Sequence, residues 1–265
     1  MFIFTGALWI PKTGICRMSP AIVGGGTPAA APPAGGNIFS ENLEGAVAWS
    51  SWDDQEPSGT LDNAGWISHM GSTSHVDADN TDVARPTGGL ANILEIQKAG
   101  ADLHANAYNV LGADSNIVYI TFFFYLPTAG ALGTNATQVN VVLTMDSTLS
   151  NIPIHIVYRR TTTPTHILRF FVYENTTDNS IDYPAAGSLS YDTWYKIFIK
   201  YDVTNHLYEL KCGPDGGSIT TVKAESAIRN THYGAFRKIA FGDIDNANVV
   251  HYYIDKLEID SEEYI

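Results

Sequence analysis

Alternation is what most constrains this chain. In residues 138–145, QVNVVLTM, an extended strand carries Val139, Val141, Leu143 and Met145 on one face and Gln138, Asn140 and Thr144 on the other. The same two-residue period recurs at 152–158, 166–173, 194–201, 206–212, 218–223, 236–241 and 249–259. In 194–201 it points Tyr195, Ile197, Ile199 and Tyr201 inward and Lys196 and Lys200 outward. A period of two means that successive side chains leave opposite faces of a strand, so each segment has one face to bury and one to wet. Residues 116–126, NIVYITFFFYL, are apolar on both faces, which predicts a central strand covered on each side. Turn signals separate the runs: CGPDGG at 212–217, Tyr183-Pro184 and Gly242-Asp243. No helical period persists over about ten residues. About a dozen strands are expected, in an all-β, two-sheet antiparallel jelly-roll β-sandwich.

Composition agrees. Hydrophobic residues make up 45% and charged residues only 16%, with many Thr, Asn, Ser, Gly and aromatic residues, which suits strands and turns. The net charge of −13, with no basic cluster, argues against a nucleic-acid partner. Cys16 and Cys212 are too few and too far apart in sequence for a disulfide framework or a zinc site.

The chain divides at residue 36. Residues 20–36, PAIVGGGTPAAAPPAGG, hold little that burial would stabilise, so an extended arm over 1–36 is expected ahead of a sandwich domain over 37–265. The opening MFIFTGALWI is apolar, but Pro11 follows it, no Lys or Arg precedes it, and it is too short to span a bilayer. No membrane span is expected. Translation from Met18 would remove residues 1–17 altogether.

Three segments carry a resemblance. TWYKIFIKYDVTNHLYELKCGPDG is similar to the hallmark of concanavalin A-like (laminin-G-like) jelly rolls, in which a Trp opens a strand and an Asp ends it before a hairpin. FRKIAFGDIDNANVVHYYIDKLEI resembles the closing strands of that superfamily, and NIFSENLEGA its opening strand, which pairs beside the last one. The resemblance spans about 37–260 and implies a fold shared by lectins, glycosidases, lyases and structural modules.

Two enzyme templates within this superfamily bear on function. Glu258-Ile259-Asp260-Ser261-Glu262 matches the E-I-D-x-E signature of family-16 glycoside hydrolases, which carry it mid-chain on the concave sheet. Here it overlaps the closing strand, where Lys256, Glu258 and Asp260 are expected to face one way and Asp255, Leu257 and Ile259 the other, ahead of a frayed SEEYI tail. That position favours a solvated strand end over a catalytic pair. Family-7 alginate lyases set three motif strands across the concave face. Their chain order resembles NILEIQ (92–97), IPIHIVY (152–158) and LRFFVYEN (168–175), and places His155 and Tyr173 at their His and Tyr. This chain lacks the template's Arg in the first strand and its Gln in the second, both of which hold the uronate carboxylate.

Alternation places His155 and Arg159 on one face of their strand, Arg169 and Tyr173 on one face of the next, and Asn140 with Gln138 on the strand before. These are the candidate ligand-binding residues, a polar and aromatic set of the kind that hydrogen-bonds and stacks a sugar. Asp243, Asp245, Asn246 and Asn248 form a candidate Ca2+ loop, with Asp77, Asp79, Asn80 and Asp82 as a second, because Ca2+ takes hard oxygen ligands. Trp49, Trp52 and Trp66 are expected to pack the opening strand and its loop.

The sequence leaves catalysis open and favours a non-catalytic, lectin-like module. An arm followed by a sandwich resembles the decoration, tail or fibre proteins of phage exteriors, which implies a virion surface location. The partners would then be copies of the chain or other virion proteins, reached through the arm, with glycans bound by the sandwich. A secreted carbohydrate-binding lectin, or a jelly-roll polysaccharide lyase or hydrolase, are the alternatives.

Overall fold

The computed structural model describes residues 37–40, 59–60, 66–70, 75–79, 83–89, 93–98, 105–128, 138–148, 151–161, 165–174, 177–228, 233–243 and 250–264. Within them run sixteen strands. These are β1 (Asn37–Ser40), β2 (Gly59–Thr60), β3 (Trp66–Met70), β4 (His75–Asp79), β5 (Ile93–Lys98), β6 (Ala105–Ser115), β7 (Ile117–Tyr125) and β8 (Gln138–Asp146). They continue as β9 (Ile154–Arg160), β10 (His166–Glu174), β11 (Thr177–Tyr183), β12 (Trp194–Asp202), β13 (Leu207–Pro214), β14 (Thr220–Ala227), β15 (Phe236–Asp243) and β16 (Val250–Asp260). The count exceeds the dozen expected because short strands such as β2 and β4, and the polar β11, lack an apolar repeat long enough to read.

Two antiparallel sheets form the jelly-roll sandwich. The first has the order β11-β10-β9-β8-β15-β6-β3-β2. The second has the order β14-β13-β12-β7-β16-β5-β4, with β1 also on β16. The opening strand does pair with the closing one, Phe39 opposite Ile259. Between the sheets lie Val139, Ile156, Tyr158, Phe170 and Phe241 from the first and Ile120, Phe122, Ile199, Tyr201 and Ile259 from the second, all buried. Burying each such side chain contributes roughly 1.5–3 kcal/mol, which is why the inward positions alternate as regularly as they do. Tyr195, Ile197, Ile199 and Tyr201 all face this core, as expected.

Two bulges change the facing of residues that strict alternation misassigns. In β8 the pairing shifts so that Ile156 meets Val142 while Val157 meets Asn140, leaving Val141 as an extra residue. Val139, Val141 and Val142 therefore all reach the core, whereas Leu143 and Met145 turn outward and pack with Ala240 and Ile152. Thr144, expected outside, is buried inside, where its hydroxyl donates to the Ile154 carbonyl at 2.9 Å. In β16 the register slips between Asp255 and Glu258, and Lys256 adopts a left-handed φ of 51°. One added residue flips everything before it. Asp255 thus lies opposite Phe123 on the outward side with Tyr253, while Leu257 and Ile259 stay in the core.

The central strand β7 is covered on both faces. Outside, Phe123 packs with Trp194, Ile93 and Tyr253 beneath residues 83–89. Trp194 Nε1 donates to the Ala84 carbonyl at 2.6 Å and the Thr87 amide to Asp215 at 2.7 Å, fastening that segment over the sheet. Gly89 passes so close that a Cβ there would stand 2.3 Å from Asp255 Oδ2. At the other end of the sheet the C-terminal tail is docked rather than frayed. Tyr264 packs edge-on against Tyr119 and Phe198, at 5.1 and 5.3 Å, and the Lys211 ammonium lies 4.9 Å from its ring centroid. The Asp260 carboxylate accepts the amides of Glu262 and Glu263 and turns the chain back to allow this.

Candidate functional site

Strands β8, β9 and β10 lie side by side in the first sheet, so the polar residues that alternation sets outside become neighbours. His155 stands opposite Leu143 on β8 and Phe171 on β10. Its Nε2 is 2.5 Å from Asn140 Oδ1, and because a carbonyl oxygen only accepts, Nε2 carries the proton. The imidazole stacks on Phe171 with ring centres 5.4 Å apart. Burial pulls the His155 pKa down to about 4, so the ring is neutral at physiological pH.

Arg169, one register step along, makes a bidentate pair with Asp182 of β11, Nε to Oδ1 at 2.5 Å and Nη2 to Oδ2 at 2.7 Å. That paired carboxylate raises the Arg169 pKa. Arg159 sits between Gln138 and Ile167 and has no ion-pair partner among the described residues. Tyr173 pairs with Asp178 through the backbone, and its side chain lies outside the described residues. Four of the five candidate binding residues, His155, Arg159, Arg169 and Asn140, thus share one outward face. Asp182 and Phe171, which complete the arrangement, were missed in the sequence. Asp182 lies on a strand with no apolar repeat, and Phe171 reads there as ordinary alternation. Farther along the same face the Lys238 ammonium stands 3.7 Å from the Tyr108 ring centre, and burial lowers its pKa. A pair brought together from β15 and β6 has no local sequence signal.

The alginate-lyase template meets a topological obstacle. The segment matched to the first alginate-lyase motif strand is β5, which belongs to the second sheet, apart from His155 and Tyr173 in the first. The E-I-D-x-E segment begins on β16 of the second sheet with Glu258, Ile259 and Asp260, and its Ser261 and Glu262 follow the end of the strand. Its Glu258 pairs with Lys256 at 3.3 Å, and Asp260 is engaged with backbone amides. Another histidine of the first sheet, His166 at the start of β10, has each ring nitrogen 2.6 Å from a tyrosine hydroxyl, Tyr158 and Tyr191, and is buried.

Of the candidate calcium loop, Asp243 ends β15, while Asp245, Asn246, Asn248 and the Asp243 side chain lie outside the described residues. Asp77 and Asp79 fall on β4, and their side chains, with Asn80 and Asp82, lie outside them too. So do Trp49, Trp52, the Trp66 side chain and the whole of the expected arm. Among the described residues no three His, Cys, Asp or Glu side chains converge as a metal site.

No family model matches the chain, and no curated protein matches it in sequence. Solved structures do match. The catalytic domain of a GH131 β-glucanase from Podospora anserina superposes with a TM-score of 0.57 at 10% identity, covering 86% of this chain and 96% of that one. SCLam, a non-specific endo-β-1,3(4)-glucanase of family GH16, gives a TM-score of 0.50 at 9% identity, over 89% and 95% of the two chains. A sialidase gives 0.52 at 11% identity over 86% of this chain, which spans only 19% of the sialidase's length. At such identities the likeness shows the fold alone, a jelly-roll β-sandwich similar to those of the two glucanases.

Proposed function

We propose that this chain is a non-catalytic, glycan-binding β-sandwich that serves as an attachment module on a virion exterior, held there through residues 1–36. The observation that carries the binding part is the outward face of β8, β9 and β10, where His155, Asn140 and Phe171 form one contiguous arrangement beside Arg159. Amide, imidazole, guanidinium and aromatic groups in one patch match a sugar, which offers hydroxyls at its rim and C–H groups on its faces. The chemistry there favours binding over cleavage. A histidine whose pKa is near 4 is a weak base at neutral pH. The described carboxylate nearby, Asp182, is held by Arg169 rather than set opposite a second acid. The arm supports the assembly part, since a Gly-, Pro- and Ala-rich segment gains order chiefly against a neighbour.

Affinity electrophoresis through a panel of immobilised polysaccharides, read beside release of reducing or unsaturated ends, tests the binding. Retardation without product, weakened in Asn140→Ala, is the expected result. Product that disappears in His155→Ala would restore the lyase reading. Light scattering of the full chain and of a chain starting at Asn37 tests the arm, with an oligomer expected only for the full chain.

A further inference from the structure

Charge is unevenly placed on this molecule. The chain as a whole carries −13. On the outward face of β8 to β11, however, the described side chains include two guanidinium groups, Arg159 and Arg169, and one carboxylate, Asp182. Arg169 and Asp182 neutralise each other in their bidentate pair. That leaves Arg159, partly exposed and without an ion pair among the described residues, as the unmatched charge of these four strands, while Lys238 of β15, farther along the face, lies over the Tyr108 ring. Its register neighbour Ile167 and its strand neighbour Val157 are buried, at 5% and 1% exposure, so apolar surface lies on two sides of it. Such walls limit competing water and strengthen an ionic hydrogen bond. Gln138, on its third side, adds an amide suited to a hydroxyl or a carboxylate oxygen.

We infer, resting on the reading of this face as a glycan site, that its ligand is an acidic saccharide, a pyranose bearing a carboxylate, and that Arg159 receives that carboxylate. A planar guanidinium fork matches a carboxylate with two parallel hydrogen bonds, which a neutral sugar does not reproduce. Asn140 and His155, already joined to each other, lie one and two strand steps from Arg159 along the same face, within the length of a short oligosaccharide. The net charge of −13 disfavours an anionic ligand over the molecule as a whole, so a local cation such as Arg159 also helps to orient it.

The test is calorimetric titration of the full chain with two matched pairs: sialyllactose against lactose, and tetragalacturonate against its carboxyl-reduced counterpart, each in low and high salt. The expected result is that the acidic member of at least one pair binds about tenfold or more tightly than its neutral partner. The pair that shows the preference identifies the carboxylate as sialate or uronate. The advantage should shrink with salt, vanish in Arg159→Ala, survive in part in Arg159→Lys, and be unchanged in Lys223→Ala on the second sheet. Equal binding of acidic and neutral members would overturn the acidic preference while leaving glycan binding intact. Binding of no member would overturn both. An acidic preference that persists in a folded Arg159→Ala protein would remove Arg159 from the site.

Discussion

The imidazole of His155 and the side-chain amide of Asn140 meet across two strands, Nε2 to Oδ1 at 2.5 Å, on the outward face of the first sheet. Burial lowers the His155 pKa from 6.5 to about 4, so between these values the unfolded chain binds the extra proton. Stability is therefore complete above pH 6.5 and declines as pH falls toward 4, by up to about 3 kcal/mol. His166 is shifted the same way, by burial and by Arg160. Urea unfolding from pH 7 to pH 4 should show this loss, and His155→Gln should flatten the curve, leaving the smaller slope that belongs to His166.

Asp182→Asn would release Arg169 from its bidentate partner. Both side chains are partly exposed, so the lost pair should cost no more than about 1 kcal/mol of stability. The freed guanidinium would add a second positive charge beside Arg159. Affinity for the acidic saccharide should then rise roughly threefold to tenfold, and a calorimetric titration showing unchanged or weaker binding would count against the charge argument.

Gly89→Ala should destabilise the segment over β7. The added methyl would stand 2.3 Å from Asp255 Oδ2 and 2.8 Å from the Pro86 ring, distances that force the segment to move. A loss of roughly 1–3 kcal/mol is expected from thermal melts. Gly112→Ala, where a Cβ meets nothing within 4 Å, should be close to neutral and serves as the control.

Tyr264→Ala should cost about 2 kcal/mol, because its ring contacts Tyr119 and Phe198 and lies beneath the Lys211 ammonium. Tyr264→Phe should cost little or be stabilising, since the hydroxyl is buried without a hydrogen-bond partner among the described residues. Urea midpoints of the two variants measure the difference, and equal losses would show that the ring packing is not what holds the tail.

Asp146→Ala should be among the more damaging single changes. Its carboxylate accepts from Thr148, Asn151 and the Gly234 amide, tying the turn after β8 to the segment entering β15. Burial alone would raise its pKa, but these bonds outweigh burial and lower it. A depressed carboxylate contributes stability that is present above its unfolded pKa and lost in acid. The variant should therefore lose roughly 2–3 kcal/mol near neutral pH and show a shallower acid transition.

Alternation alone determined the all-β class, the two-sheet arrangement and most of the core, because burying one face of a strand is a local demand that each run of residues meets by itself. Tyr195, Ile197, Ile199 and Tyr201 show this, as does the doubly covered β7. It also placed His155, Arg159, Arg169 and Asn140 on outward positions of consecutive strands, which is most of the candidate site. Only the tertiary structure decided what depends on register between strands. The extra residue at Val141 turned Leu143 outward and Thr144 inward, and the left-handed Lys256 moved Asp255 to the outward side of its sheet, buried beneath residues 83–89. The pairing of Arg169 with Asp182, which leaves Arg159 as the unmatched cation of β8 to β11, comes from the strand next door. The assignment of β5 to the second sheet, which separates the first lyase-like motif strand from His155, is set by strand order. A two-residue period reports which face a side chain leaves from. It carries no information about which strand lies alongside, and the chemistry of this face depends on that neighbour.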